Sequence, residues 1–136
     1  MNLFTTYGTN DLSRAIRFYD AIFSVLEQPR LPGWSSGWAG WGKNADQGTG
    51  FWICQPFDAQ PASVGNGTMI AFPAKSADQV RQFHAAGINN GGMNEGVPGI
   101  RNRYKPDFYV AYLRDPDGNK LSCFYFHYDS EMDEGG

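Results

Sequence analysis

The sequence predicts an α+β fold built from two tandem βαβββ modules. Three observations carry this: a strand–helix–strand order that occurs twice, a constant offset of 65 residues between the two occurrences, and a strong hairpin that closes the second. Residues 2–8 form the opening strand. Asp11 is suited to cap the helix that follows, because its carboxylate can accept a bond from a first-turn amide. Leu12, Ala15, Ile16, Tyr19, Ile22 and Phe23 then recur at helical spacing, and the pattern fades before Pro29. From Pro29 to Pro56 the chain is rich in Gly and Trp, with short strand-like runs at 37–41 and 51–54. Residues 58–66 form a polar linker.

After the linker the order begins again. Residues 68–72 form a strand, and Ser76 caps a helix running through Val80, Phe83, His84 and Ile88. The offset carries Asp11 onto Ser76, both caps, and Phe4 onto Met69, both at mid-strand. Strands at 108–113 and 120–127 then flank Asp115-Pro116-Asp117-Gly118-Asn119. Proline presets φ in this turn, and Asp, Gly and Asn supply its positive-φ positions. Asp115 and Asp117 are expected to close the turn onto backbone amides rather than to act as acid and base. A single domain over residues 1–128 is therefore expected, with modules at about 1–57 and 67–128 and an acidic, flexible tail at 129–136.

A chain of 136 residues with 41% hydrophobic and 18% charged content can bury a substantial core. The net charge of −3 and the absence of a basic run exclude an electrostatic footprint for nucleic acid. No stretch has the apolar length of a membrane span, and the first residues lack the basic and apolar regions of a signal peptide. Cys54 and Cys123 fall in different strand-like segments without a paired motif, so two reduced thiols in a cytoplasmic protein are expected. The aromatic share of 15% is high, and some of these rings are candidates to line a cavity.

Asn10-Asp11-Leu12 with Phe18-Tyr19-Asp20 resembles the first-helix signature of the vicinal oxygen chelate superfamily, which includes glyoxalase I, bleomycin-resistance proteins and extradiol dioxygenases. The run from Phe108 to Lys120 is similar to that family's last hairpin, and Pro98-Gly99-Ile100-Arg101 with Tyr104 resembles a loop of a bacterial glyoxalase-like branch. The likeness covers roughly residues 2–127. It implies a curved mixed sheet around a cup-shaped cavity, in which His or Glu from four strands would hold a divalent metal that polarises two substrate oxygens.

The family's ligand positions fall on Phe4, Met69, Ser122 and, on the best match, Trp52. None of these offers a suitable zinc, nickel, manganese or iron ligand, and a slip of one residue brings in no acid or imidazole. No metal or other cofactor is therefore expected.

Among Trp34, Trp38, Trp41 and Trp52, the spacing points Trp38 and Trp52 inward, with Tyr109 or Phe108 across the cup to sandwich a flat ligand. Arg101 is placed to clamp an anionic group and Tyr104 shares its loop. His84, on a helix, and His127, at a strand end, are expected to be structural.

The residues expected to bind a ligand are thus Phe4, Trp38, Trp52, Met69, Arg101, Tyr104, Tyr109 and Ser122. The expected partners are a small aromatic or apolar molecule and a second copy of the chain in a homodimer. The other readings are a lyase-, isomerase- or dioxygenase-like enzyme with an atypical site, and a structural protein whose cup is filled.

Overall fold

The computed structural model describes residues 3–32 and 36–133, which leaves Trp34 and the last three residues of the expected tail outside the description. The first module runs β1 (Phe4–Gly8), α1 (Leu12–Val25), β2 (Trp38–Trp41) and β3 (Gly50–Cys54). The second runs β4 (Ile70–Pro73), α2 (Ala77–Asn89), β5 (Met93–Ile100), β6 (Tyr109–Arg114) and β7 (Lys120–Tyr125). Asp11 and Ser76 cap their helices as expected, each accepting from the amide three residues on at 3.1 Å.

The internal repeat is visible in the pairing. Each module's first strand lies parallel to its last, β1 on β3 and β4 on β7, and the antiparallel strands follow outward, in the orders β1-β3-β2 and β4-β7-β6-β5. A parallel pair needs a crossover, and the helix supplies it.

The first module differs from expectation in one respect. Where the second has β5, its described residues show a single bridge between Arg30 and Trp41. Pro29 and Pro32 have no N–H to extend that ladder, so the segment contributes only the bonds Leu31 N–H to Gly40 O at 2.8 Å and Gly42 N–H to Pro29 O at 3.0 Å.

One core joins the modules. Phe18, Tyr19, Ile22 and Phe23 of α1 and Val80 and Phe83 of α2 cover one face of each sheet, meeting Trp41, Phe51 and Ile53 in the first and Ala111, Leu113, Leu121 and Cys123 in the second. Gly87, inside α2, is required by this approach. A Cβ there would lie 2.3 Å from Leu113 Cδ1 and 3.3 Å from Phe18, which offsets the roughly 1 kcal/mol that glycine costs a helix interior. Among the described residues no helix is long and apolar enough to cross a membrane.

The closing turn does more than reverse the chain. Asp115 is 1% exposed and accepts from the amides of Asp117 and Asn119 at 2.9 Å each, from Asn119 Nδ2 at 2.9 Å, and from the Tyr19 hydroxyl at 2.5 Å. Burial raises the Asp115 carboxyl above its ordinary range, opposed by these donors, and burial beside that carboxyl holds the Tyr19 phenol protonated. Asp117 faces the other way. It accepts from Thr9 Oγ1 at 2.5 Å, the Asn10 amide at 2.9 Å and Arg14 Nη2 at 2.9 Å, so the second module's hairpin fastens the first turn of α1. Asn119 Nδ2 also donates to Gly8 O at 3.0 Å, and the Tyr7 hydroxyl to Lys120 O at 2.7 Å.

The described part of the acidic tail makes contacts with α2 and β6. Asp133 is held by Arg81 through two bonds of 2.7 and 2.9 Å, Tyr128 donates to it at 3.0 Å, and the Tyr128 ring stacks on Tyr109 at 4.8 Å. A carboxylate that meets a guanidinium through two bonds gives a charge-assisted, bidentate contact.

Two predictions follow from this packing. Replacing Asp117→Ala leaves Arg14 and two donors without their acceptor, and should lower unfolding free energy by about 3 kcal/mol in urea titration. The second concerns alkaline pH. Burial raises both the Tyr7 phenol, ordinarily near 10.0, and the Cys123 thiol, ordinarily near 9.0, to about 12. The unfolded chain releases these protons first, so stability intact below about pH 9 declines as pH rises toward about 12. Urea midpoints across that range should show the decline, and Tyr7→Phe and Cys123→Ala should each flatten it.

Candidate functional site

Side chains alternate across a strand, so each sheet has a second face turned away from the helices. In the first module that face carries Phe4, Thr6, Trp38, Gly40, Trp52 and Cys54, the residues alternating with the core positions of β1, β2 and β3. In the second it carries Met69, Val110, Tyr112, Lys120, Ser122 and Phe124. Phe4, Trp52, Met69 and Ser122, the four positions singled out by the family pattern, therefore all lie on the helix-free faces.

Phe4 stacks on Trp52 with ring centroids 5.8 Å apart and planes 22° apart. Trp52 is only 3% exposed because it lies flat across Gly40, where a Cβ would be 2.4 Å from its ring. Trp38 meets Trp52 edge-on, at 6.2 Å and 71°. This geometry departs from the expected sandwich, since one face of Trp52 is taken up by backbone and the two indoles do not face each other across a slot. Trp38 and Cys54 border a separate hollow of about 500 Å³ with Phe57 and Ala62. Burial raises the Cys54 thiol, which keeps it protonated and poorly nucleophilic.

The larger aromatic hollow, about 670 Å³, belongs to the second module. Met69, Tyr112 and Lys120 form its floor, and the 101–108 loop supplies Arg101, Tyr104 and Phe108, with Phe126 closing one side. Phe108 is packed edge-on to Tyr104 at 6.0 Å and tilted against Phe126 at 5.1 Å. Arg101 is held by its Nη2, which donates to Val97 O at 2.7 Å, with its guanidinium 5.7 Å from the Tyr112 ring centre. Lys120 Nζ lies 5.3 Å from the same ring. The Tyr112 phenol is raised by burial and by Tyr104, against the opposing charges of Arg101 and Arg103.

Of the eight residues expected to bind a ligand, Met69, Arg101 and Tyr104 come together here. Ser122 is buried beside the hollow, paired across the strands with Ala71 and Tyr112. Phe4, Trp38 and Trp52 belong to the first module's face. Tyr109 is the residue to correct. It points toward the helices, 7% exposed, with its hydroxyl accepting from Arg81 at 3.0 Å. Phe108 or Tyr109 could have faced the cup, and the pleat selects Phe108 because Tyr109 shares its side with Ala111 and Leu113.

Tyr112, Phe126, Lys120, Arg103 and Lys105 were not anticipated as lining. The alternation running from Ser122 and its partner Tyr112 carries a signal for the first three, and the alternate spacing of Arg101, Arg103 and Lys105 on one loop carries one for the others. His84 bonds Asn94 at 2.9 Å, and His127 lies 3.5 Å from Asp107 at the surface, both outside this hollow.

No family model matches the sequence, and no curated protein matches it. Among solved structures, a glyoxalase/bleomycin resistance protein from Albidiferax ferrireducens superposes with a TM-score of 0.78 at 39% sequence identity, covering 89% of this chain and 94% of that one. The chain belongs to the glyoxalase/bleomycin resistance protein family.

More distant members share the fold alone. A glyoxalase/bleomycin resistance protein/dioxygenase family enzyme from Burkholderia phytofirmans has a TM-score of 0.69 at 15% identity, covering 93% of this chain and 99% of that one. The fosfomycin resistance protein FosX from Mesorhizobium loti has a TM-score of 0.63 at 18% identity, covering 92% and 91%. The α+β class and the twin-module order anticipated from the sequence are those of this family.

Proposed function

We propose that the protein is a member of this family that binds a small, flat aromatic or apolar molecule on the helix-free face of β6 and β7, without the divalent metal the family's pattern implies. The observation supporting the reading is the 670 Å³ hollow walled by Tyr104, Phe108, Tyr112 and Phe126, with Met69 beside them. That volume suits a drug-sized molecule, and ring faces with a polarizable thioether suit an aromatic one.

The donor set is the second support. At the family's ligand positions Phe4 and Trp52 offer rings, Met69 a soft thioether and Ser122 a neutral hydroxyl. Zinc, nickel, manganese and iron(II) call for imidazole, carboxylate or thiolate, so these residues do not fit the ion. Among the described residues no three His, Cys, Asp or Glu side chains converge elsewhere. The retained scaffold with altered pocket chemistry fits binding better than metal-assisted turnover.

The homodimer expected from the sequence belongs to the same proposal. Phe4 at 49% and Met69 at 42% exposure are apolar surface on the helix-free faces that a second copy would cover. Sedimentation equilibrium should give twice the chain mass, and a monomer at tens of micromolar would remove this part.

Calorimetric titration with a panel of flat aromatic compounds tests the binding reading. At least one should bind, with affinity falling by about tenfold in Phe108→Ala or Tyr112→Ala and little changed in Trp38→Ala. Stoichiometric zinc, nickel, manganese or iron in the purified protein, with binding lost on chelation, would overturn it.

A further inference from the structure

We infer that the molecule taken by the β6–β7 hollow carries a negative charge, as an aromatic carboxylate whose ring lies against Tyr112 and Phe108 and whose carboxylate is met by Arg101 and Lys120. This rests on the binding reading above and adds the ligand's charge to it.

The argument begins with where cations are paired. The chain has eleven lysines and arginines. Arg14, Arg30, Lys75, Arg81 and Arg114 hold ion pairs with carboxylates. Of the remaining six, Arg101, Arg103, Lys105 and Lys120 all line this one hollow, and none has an ion pair among the described residues. The chain as a whole is acidic, at −3, so this is a local inversion and not a generally basic surface. Among the described residues the one carboxylate in the lining is Glu95, and it is turned onto Arg114 Nε at 3.2 Å.

Each of the four cations rests near a ring. Arg101 and Lys120 lie 5.7 and 5.3 Å from the Tyr112 centre, Arg103 5.3 Å from Tyr104, and Lys105 5.1 Å from Phe126. Contacts of this kind are worth about 0.5–1 kcal/mol at exposed sites. Like charges gathered on one hollow repel, by an amount on the order of 1 kcal/mol for a pair about 4 Å apart in water and by less at longer range. An anion entering the hollow would relieve that repulsion.

The positioning is also suited to a carboxylate. Arg101 is anchored through donation to Val97 O at 2.7 Å and Ile100 O at 3.4 Å, which leaves further guanidinium N–H groups on a side chain whose rotamer is already restrained. Lys120 brings a point charge on a flexible stem to within 5.3 Å of the same ring. The walls between are ring faces, which favours a planar anion over a bare ion. The bounded volume and the acidic remainder of the chain disfavour a polyanion such as nucleic acid.

Titration calorimetry with 2-naphthoate, its neutral isostere 2-naphthamide, and inorganic phosphate tests the inference on the full chain. We expect 2-naphthoate to bind at least about tenfold more tightly than the amide, and the difference to shrink at high salt. The Arg101→Gln and Lys120→Gln variants, checked for an unchanged thermal midpoint, should narrow the same carboxylate–amide difference.

Equal binding of carboxylate and amide would leave the aromatic hollow standing and overturn the charge assignment. Phosphate binding as tightly as naphthoate would overturn it too, by showing a bare-anion patch indifferent to the rings. Absence of binding by both naphthyl compounds up to millimolar concentration would overturn the inference together with the reading beneath it. Should either variant fail to fold, the salt dependence of the carboxylate–amide difference in the native protein decides the matter.

Discussion

The structure depends most on one buried turn. Asp115 and Asp117 sit two residues apart and serve opposite directions. Asp115 closes the β6–β7 hairpin and receives the Tyr19 hydroxyl, and Asp117 caps the entry to α1 from a distance of about a hundred residues in sequence. Burying two carboxylates is costly unless every lone pair finds a donor, and here backbone amides, a phenol, an amide side chain, a hydroxyl and a guanidinium supply them. The turn thereby sets how the two modules sit together. It also starts β7, whose residues Lys120 and Ser122 define the face on which the hollow forms.

That face follows from the division of labour within each sheet. The helices can cover only one side of a twisted sheet, and the single core made by α1, α2 and both sheets lies there. The opposite faces have no helix to bury them, yet the sequence still places rings on them. In the first module the rings are consumed by contact with each other and with Gly40. In the second they stand around a space, since the 101–108 loop raises Tyr104 and Phe108 above the strand surface. The same period-two pattern thus yields rings packed on one another in one module and rings standing around a hollow in the other.

Much of this was legible in the residues. The caps at Asp11 and Ser76, the repeat offset and the Asp-Pro-Asp-Gly-Asn turn are local or periodic signals, and each marks a backbone conformation with a physical cause. The four family positions fall on the helix-free faces of the two sheets, because strand alternation carries side-chain direction with it. Three things were not legible. That Trp52 lies flat on Gly40 depends on two strands pairing at a particular register. That Phe108, rather than Tyr109, faces the hollow depends on anchoring the alternation of β6 to its neighbour. The docking of Asp133 on Arg81 joins residues 52 apart, and composition alone suggested a free tail.

The parallel pairing of each module's first and last strands bears on how the chain reaches this state. β1 must wait for β3, and β4 for β7, so neither sheet can close by hairpin formation alone; each requires most of its module to be present and collapsed. The Asp117 contacts with Thr9, Asn10 and Arg14 join residues more than a hundred positions apart and add a further long-range closure. A slip of one residue in β7 would turn every side chain of that strand to the wrong face and carry the carboxylate away from α1. The polar lock therefore ties correct register in one half of the chain to the placement of the other half.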